Sequence, residues 1–314
     1  MDRSSFKLLS AASVLACATS VAHAGSFDQL LADFRDATAH GKQAYVVDID
    51  NDSLLLRRDD RFYTGGVRLA SEYTKGDAGQ STTYGWRIGQ DMYTASDTQL
   101  EPAEIGPHDH PYGAWLYGGV YKKTDEANGE HLKLGLDFGC LGACAGGSWA
   151  QTTTHHLLRQ KQPKGWSTQL RNEVGAIVYG DIAWQRWSPA PWLDVTPSML
   201  GRFGNIHSDA SAVATLRFGR LNALPDQSTL HGFLRGELRA VAYDATLQGG
   251  YFSSGNPHTV KPKRAVGEIE LGVAWISAPY RVRSSIVRRG NEIEDLSNAI
   301  GSQSFARFQL TYAP

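Results

Sequence analysis

The sequence predicts an all-β domain, a twelve-stranded antiparallel transmembrane β-barrel with a short helix in an extracellular loop. The 314 residues include 33 Gly, 13 Tyr and 8 Trp but only 3 Met, a composition that favours strands and turns. Many runs of about ten residues alternate apolar with small or polar side chains, as barrel strands do. The mean hydropathy of -0.34 excludes a bundle of transmembrane helices, whereas a barrel can be this polar.

Residues 1–24 have the features of a secretory signal peptide. The segment starts with Arg3 and Lys7, continues with an apolar stretch and ends in a small-residue Ala-His-Ala cleavage site. We expect cleavage there, which leaves residues 25–314 as one exported barrel domain in the outer membrane of a Gram-negative cell. The charge balance, 31 Lys+Arg against 32 Asp+Glu, argues against a nucleic-acid partner.

A short amphipathic helix is predicted over residues 27–39, because Phe27, Leu30, Leu31 and Phe34 recur at helical spacing. The rest of the chain consists of predicted strands. An even strand count suits a single-chain barrel, and a soluble β-sandwich with the same alternation is the alternative. The twelve predicted strands cover residues 43–54, 65–75, 82–92, 114–124, 130–140, 170–187, 192–204, 210–219, 230–246, 263–276, 279–290 and 303–313.

Aromatic residues near strand ends are expected to form girdles at the two membrane interfaces. These residues are Tyr63, Tyr93, Tyr112, Trp115, Trp184, Trp187, Trp192 and Trp275. With a periplasmic N-terminus, every connection from an odd to an even strand lies on the extracellular side. Polar residues gather at those connections: Asn51 and Asp52 end the first strand, Tyr63 and Thr64 precede the second, and a long loop follows Cys140.

The long loop carries a second predicted helix, which begins near Ser148 and is closed by Pro163. Gln151 and His155 are four residues apart and therefore share one helix face. The neighbouring His156 is rotated from His155 by about 100°. The spacing favours His155 as the functional histidine.

Two cysteines follow the signal peptide, Cys140 and Cys144. Outside the cytoplasm a disulfide is allowed, and we favour a disulfide between these two cysteines that constrains the loop after the fifth predicted strand. A metal site is the alternative, with His155 and His156 as the nearest histidines, but it needs more ligands than this loop offers.

Several segments, taken in order, resemble the outer-membrane lipid A 3'-O-deacylase family. They cover residues 51–52, 60–66, 89–94, 110–117, 151–155 and 165–173. No single motif is decisive, but the ordered set is fairly specific. The resemblance implies a twelve-stranded outer-membrane barrel that uses calcium to hydrolyse the ester holding the 3'-linked acyloxyacyl group on lipid A. The family's functional residues correspond to Asn51, Asp52, Thr64, Gln151 and His155.

These residue types suit ester hydrolysis. A neutral histidine can take a proton from water near pH 7, which is the role expected of His155. Gln151 is expected to orient water or substrate, and the Thr64 hydroxyl to form a hydrogen bond. Asp52 and the Asn51 oxygen offer the hard ligands that Ca²⁺ prefers. The expected partners are lipid A within lipopolysaccharide and the outer-membrane lipid, and no obligate protein partner is inferred.

The sequence departs from the family's pattern in two places. Residues 94–100 contain no lysine where the family has one, and Leu100 stands at about that place. The Cys140 to Cys144 loop replaces a Gly-Pro pair. Both departures affect contacts to the substrate head group more than the hydrolytic residues.

Other functions stay open on the sequence alone. One is an outer-membrane phospholipase with a serine nucleophile, Ser148 or Ser167, and His155 as its base. Another is a porin or adhesin without enzymatic activity. Glu173 has two interpretations, as an additional cation ligand or as a polar residue of the barrel lumen.

Overall fold

The computed structural model describes residues 27–52, 61–77 and 79–314, so the predicted signal peptide lies outside the described residues. The chain divides into two compact units. The first ends at Gly41 and contains helix α1 (Phe27–His40), which confirms the helix predicted over residues 27–39. Among the described residues no helix has the length and apolar character that a membrane crossing requires.

The second unit, Lys42–Pro314, is one closed sheet of twelve antiparallel strands. They are β1 (Lys42–Asn51), β2 (Phe62–Gly76), β3 (Gln80–Thr94), β4 (Gly113–Glu126), β5 (His131–Leu141), β6 (Glu173–Ala183), β7 (Leu193–Gly204), β8 (His207–Arg220), β9 (Thr229–Asp244), β10 (Ala265–Ser277), β11 (Tyr280–Arg289) and β12 (Gln303–Tyr312). Pairing of β1 with β12 and of β6 with β7 closes the barrel, so every one of the twelve strands has two neighbours. The predicted fold class is confirmed.

The prediction for the sixth strand, residues 170–187, is wrong at both ends. The strand begins only at Glu173, because the Leu170 N–H donates to the Tyr112 carbonyl oxygen at 2.8 Å, outside the ladder. It ends at Ala183, and Trp187–Ala190 forms a short accessory strand that pairs with the start of β7. Of the first predicted strand, residues 53–54 lie outside the described residues.

The two ends of the barrel differ in the length of their connections. At the turn end they are short and comprise residues 77–79, 127–130, 184–192, 221–228 and 278–279. At the loop end they are mostly longer and comprise residues 52–61, 95–112, 142–172, 205–206, 245–264 and 290–302. Long extracellular loops and short periplasmic turns are the rule for such barrels, so the loop end is extracellular. It contains every connection from an odd to an even strand, as the sequence predicts.

Side chains alternate between the lumen and the outward-facing side of the sheet, which we call the outer wall. The lumen is filled by ion pairs between strands, such as Arg307 with Asp50 at 2.8 Å and Arg68 with Asp91 at 2.6 Å. Paired charges tolerate a partly buried position that a lone charge would not. Apolar residues on the outer wall are exposed, including Val67, Leu69, Ile88, Val120, Leu136 and Phe138. This is the polar-in, apolar-out pattern of a membrane barrel.

The aromatic prediction is right at one end of the barrel and wrong at the other. Four predicted girdle residues are exposed near the turn end, namely Trp184, Trp187, Trp192 and Trp275. The prediction is wrong for the remaining four, which are buried. Tyr63, Tyr93 and Trp115 line the lumen, where the Tyr63 hydroxyl donates to the Asp50 carboxylate at 3.1 Å and the Tyr93 ring stacks on His110. Tyr112 is instead buried in an apolar cluster with Ala114 and Trp166, so contacts within the protein keep all four rings away from lipid.

Candidate active site

Helix α2 (Gly147–Leu157) lies against the outer wall of the barrel. Trp115 and Tyr117 line the lumen, so the residues that alternate with them on β4, Ala114 and Leu116, face outward. The backbone of α2 comes so close to Ala114 that a side chain at Gly147 would overlap its methyl group. The helix therefore covers the outward face of β4 near the loop end.

A small apolar core fixes α2 on this wall. Its buried members are Ala95, Tyr112, Ala114, Ala145 and Trp166, and the outward-facing Met92 and Leu116 pack against them. Strand β3 adds a polar contact, because the outward Gln90 side chain donates through Nε2 to the Ala145 carbonyl oxygen at 2.6 Å. Ala145 ends the 3₁₀ turn that leads into α2, so this bond sets where the helix begins.

Cys140 and Cys144 form the predicted disulfide. It ties the end of β5 to the 3₁₀ turn before α2. The Cys144 N–H also donates to Asn172 Oδ1 at 3.0 Å. Because the two sulfurs are bonded to each other, the alternative of a metal site on this loop does not apply.

The structure corrects the predicted end of the second helix. It ends at Leu157 and not at Pro163. The chain reverses at Arg159, whose φ of 54° lies in the left-handed region and cannot continue a right-handed helix. The chain that follows returns to the helix and brings the Lys161 carbonyl group to His155.

His155 is buried and oriented by that carbonyl group. Its Nδ1 lies 2.6 Å from the Lys161 carbonyl oxygen. A carbonyl oxygen can only accept, so Nδ1 carries a proton, and Nε2 is the nitrogen that bears the lone pair whenever the ring is neutral. The His155 residue is 7% exposed, whereas His156 is exposed to solvent. Of the two neighbouring rings, His155 is the one that is buried with its Nδ1 bound to a carbonyl oxygen.

Two bonds tether the segment that carries the Lys161 carbonyl group to the β3–β4 loop. The Lys164 N–H donates to the Thr98 carbonyl oxygen at 3.0 Å. Gln99 Nε2 donates to the Gln162 carbonyl oxygen at 3.2 Å. The orientation of the His155 ring therefore depends on two loops that are distant in sequence.

Gln151 lies one helical turn before His155 and is 2% exposed. The Trp166 indole Nε1 donates to Gln151 Oε1 at 2.8 Å. An indole N–H can only donate, so this bond fixes the amide with its oxygen toward Trp166. The opposite edge of the amide presents the Nε2 donor.

A β-bulge turns Thr64 to the outer wall. In the β2–β3 ladder Tyr63 faces Tyr93 but Gly65 faces Met92, so Thr64 is the extra residue. Thr64 does not precede the second strand, as predicted, but lies within it. Tyr63 points into the lumen. Thr64 is buried on the other side of the sheet, where its Oγ1 lies 2.7 Å from Oγ1 of the outward-facing Thr94.

Thr94 Oγ1 also lies 3.3 Å from the Ala95 carbonyl oxygen. Either hydroxyl of the Thr64–Thr94 pair can donate to the other. In both arrangements the Thr64 oxygen keeps a lone pair with which it can accept a further hydrogen bond.

Asn51 and Asp52 complete the set of predicted residues. Asn51 ends β1 opposite Gly65, and it faces outward because Asp50 faces the lumen. An added Cβ at Gly65 would lie 3.2 Å from Asn51 Nδ2, so the absence of a side chain at Gly65 leaves space for the Asn51 side-chain amide. Asp52 is buried, and its Oδ2 accepts from the Arg61 N–H at 3.1 Å.

Contacts through intervening residues connect Asn51, Thr64 and Gln151, while Asp52 is the chain neighbour of Asn51 and His155 lies one turn along α2 from Gln151. Register places Asn51 beside Gly65 and hence next to Thr64. Thr64 contacts Thr94, and the next residue, Ala95, belongs to the apolar core that contains Trp166. Trp166 in turn binds Gln151. The barrel interior holds a separate cavity of about 330 Å³, and none of the five candidate residues lines it. The candidate site is therefore outside the lumen, on the lipid side of the wall.

The donors at this site fit a hard cation better than a soft one. Within residues 27–52, 61–77 and 79–314 no three His, Cys, Asp or Glu residues are placed to hold a metal ion. The polar groups of Asn51, Asp52 and Thr64 are instead amide, carboxylate and hydroxyl oxygens. Such oxygen donors suit Ca²⁺, whereas zinc prefers nitrogen and sulfur.

The comparison with protein families decides the classification. The family model described as "Outer membrane protein LpxR" matches residues 8–313, nearly the whole chain. The chain belongs to this family. Membership makes it an outer-membrane protein of a lipid A-modifying family, in agreement with the barrel fold.

One solved structure of the family agrees with the fold of this LpxR family member, and more distant barrels match with lower scores. LpxR from Salmonella typhimurium matches with a TM-score of 0.71 at 21% identity, covering 86% of this chain and 99% of that chain. The β domain of the Bordetella autotransporter BrkA matches at 0.47 and 10% identity, covering 87% and 99%. The NalP translocator domain from Neisseria meningitidis matches at 0.42 and 10% identity, covering 96% and 99%. A comparison with curated proteins found no match.

Glu173 serves as an anchor for the loop of residues 245–264. Its Oε1 accepts from Asn205 Nδ2 at 3.0 Å and from the Phe252 N–H at 2.9 Å. The carboxylate is thereby engaged with the protein at the loop end of the barrel. Alternation along β6 puts Glu173 on the same inward face as Ile177 and Tyr179, which favours the interpretation as a polar residue of the barrel lumen.

His110, another buried histidine of this LpxR family member, is distinct from His155. Burial lowers the pKa of His110, so its ring is neutral at pH 7. Its Nδ1 lies 2.7 Å from the Pro111 carbonyl oxygen, and the ring stacks on Tyr93. These contacts hold the β3–β4 loop onto the lumen side of the barrel.

Sequence reasoning misses two positioning residues, Trp166 and Lys161. Trp166 lies in the segment of residues 165–173 that carries part of the family resemblance, so a sequence signal for it exists. Lys161 acts through its backbone carbonyl group, for which the side-chain identity gives no signal.

Replacing Trp166 with Phe is expected to lower the hydrolytic rate constant about tenfold. Phe keeps most of the apolar packing but removes the indole N–H, and one hydrogen bond is worth about 1 kcal/mol. The matched control is Trp187→Phe, an exposed tryptophan near the turn end of the barrel. Steady-state rates on purified lipid A would measure the effect, and equal rates for wild type and Trp166→Phe would show that Gln151 needs no anchor.

Proposed function

We propose that this LpxR family member is a calcium-dependent esterase that removes the 3'-linked acyloxyacyl group from lipid A. The observation that carries the proposal is the position of an oriented His155 on the outer wall at the extracellular end. Lipid A lies in the outer leaflet, beside this wall, and a lumen site would not reach it. The family resemblance supports the choice of ester.

The geometry supports hydrolysis by water. His155 Nε2 takes a proton from a water molecule as its oxygen attacks the ester carbonyl carbon. The bond from that carbon to the 3'-oxygen then breaks, and His155 returns the proton to the departing oxygen. The Nε2 donor of Gln151 orients the water or the carbonyl group, and the Thr64 oxygen accepts a hydrogen bond from the substrate.

The oxygen donors of Asp52 and Asn51 are the residues that would hold the cation. When bound, Ca²⁺ supplies positive charge for the oxyanion that develops on the ester. Gly65 keeps the space beside Asn51 open, and the Arg61 N–H holds the Asp52 carboxylate in place. These contacts preorganise the donors before substrate binds.

The structure disfavours the two alternatives. Ser148 precedes His155 by two helical turns, about 10 Å along the axis, which is too far for a nucleophile–base hydrogen bond. Ser167 is exposed, beside a Trp166 that turns inward to Gln151. Ion pairs such as Arg307 with Asp50 fill the lumen, which argues against an open porin channel.

The decisive experiment is mass spectrometry of lipid A from cells that express the chain, compared with cells carrying an empty vector. We expect lipid A that has lost one acyloxyacyl group, and the matching fatty acid in the medium or membrane. Phospholipids from the same cells should be unchanged. Released lysophospholipid with intact lipid A would instead establish the phospholipase alternative, and no change in either lipid, with the folded barrel present, would contradict both.

A further inference from the structure

We propose that the outer face of α2 inserts into the acyl-chain region of the outer leaflet and holds the catalytic helix at the lipid boundary. Two large apolar residues carry this inference. Trp149 is 74% exposed and Leu157 is 75% exposed. They are eight residues apart, with Thr153 between them, so all three lie within about 80° of one another around the helix.

The other faces of α2 are distinct from this one. Gln151 and His155 point to the barrel wall, about 120–160° away from the apolar face. Thr152 and His156 are exposed and lie on one flank, within about 60° of Trp149. The helix therefore has a site face, an apolar exposed face and a polar flank, as helices at a membrane surface have.

The apolar face is continuous with the lipid-facing belt of the barrel. The helix covers Ala114 and Leu116 on the outer wall of β4. The next outward positions on this strand are Gly118 and Val120, and Val120 is 54% exposed. Four strand residues span about 13 Å, so α2 lies immediately above bare, lipid-facing wall. Acyl chains that cover Val120 extend along the same wall toward the helix.

A protein partner and a second copy of the chain are the other possible occupants of this face. The continuity with the lipid-facing wall favours lipid, because Gly118 is the single outward position of β4 between Leu116, in the apolar core under α2, and the exposed Val120. An interfacial helix would also keep the site open sideways to the leaflet that contains lipid A. This last consequence rests on the proposed function, while the membrane contact itself does not.

Site-directed fluorescence tests the membrane contact without measuring hydrolysis. The disulfide occupies Cys140 and Cys144, so a thiol introduced by Trp149→Cys, Leu157→Cys or Thr152→Cys can be labelled alone. The labelled full-length barrels are placed in phosphatidylcholine vesicles with or without brominated acyl chains. We expect bromine to quench labels at positions 149 and 157 at least about twofold more than the Thr152→Cys control, and aqueous iodide to show the reverse order.

Each other outcome overturns the inference. Equal quenching by iodide at all three positions would place the apolar face in water. Protection of position 149 from both quenchers, dependent on protein concentration, would identify a second copy as the occupant. These results would leave the proposed hydrolysis untouched, and loss of hydrolysis with normal bromine quenching would leave the membrane contact untouched.

A rate measurement links the contact to catalysis. Trp149→Ser is expected to lower hydrolysis of lipid A in vesicles about tenfold, the loss expected when one large apolar side chain no longer enters lipid. Hydrolysis of lipid A dispersed in detergent should change much less. The matched control is Trp187→Ser, an exposed tryptophan at the opposite end of the barrel. Equal losses in vesicles and detergent would contradict the role of Trp149 in positioning the helix.

Discussion

Replacing His155 with Ala is expected to reduce lipid A hydrolysis by about 10²–10⁴-fold, the range for loss of a general base. The neighbouring His156→Ala should change the rate little. The reason is their position on α2, where His155 is buried with its Nδ1 bound to the Lys161 carbonyl oxygen and His156 is exposed. Initial rates on purified lipid A, followed by mass spectrometry, measure both variants.

The two histidine variants control for each other. Both substitutions remove one imidazole from the same helix, so a general loss of helix stability would lower both rates alike. The barrel of each variant should still resist unfolding in detergent at room temperature, because neither ring belongs to the strand ladder. Equal rate losses, or inactivity of His156→Ala alone, would show that the assigned base is wrong.

Chelation with EGTA is expected to abolish hydrolysis, and added calcium to restore it. With calcium present, the Asp52→Ala variant should hydrolyse lipid A at least about 10²-fold more slowly than the wild type. This loss is comparable with the effect of removing one electrostatic contact to a developing oxyanion. The Asp52 carboxylate and the Asn51 amide are the hard oxygen donors of the candidate site. The measurement is the rate on lipid A across a calcium titration, with an apparent calcium affinity for each variant.

A conservative variant separates charge from structure at this position. Asp52→Asn keeps an oxygen that can accept from the Arg61 N–H but removes the negative charge. We expect Asp52→Asn to lose calcium affinity nearly as completely as Asp52→Ala. The matched control is Asp77→Ala, whose carboxylate accepts from the Gly79 and Gln80 N–H groups in a turn-end connection, far from the candidate site. Full activity in excess chelator would exclude the cation from the reaction.

Much of the fold could be predicted because local chemistry determines it. Period-2 alternation along each strand follows from the pleat, and it predicts which side chains face lipid, as in Ile269 and Leu271 against Glu268 and Glu270. Helical spacing likewise predicts that Gln151 and His155 share a face. The disulfide follows from two cysteines four residues apart in an exported chain. Each of these inferences needs only neighbouring residues and their environment.

Only the tertiary structure decided where the site opens and what orients its base. Alternation counted back from the lipid-facing Val67 would give Thr64 the lumen face, but the bulge between Tyr63 and Gly65 places it on the outer wall, and no sequence signal marks that bulge. The Lys161 carbonyl group orients His155 through two loops whose contact is set by residues 98–99 and 162–164. The inward packing of Tyr63 and Trp115 likewise depends on partners across the barrel. Alternation, helical spacing and cysteine separation act between near neighbours and can be read from the sequence, whereas bulges, backbone hydrogen bonds and lumen pairs depend on contacts between distant residues.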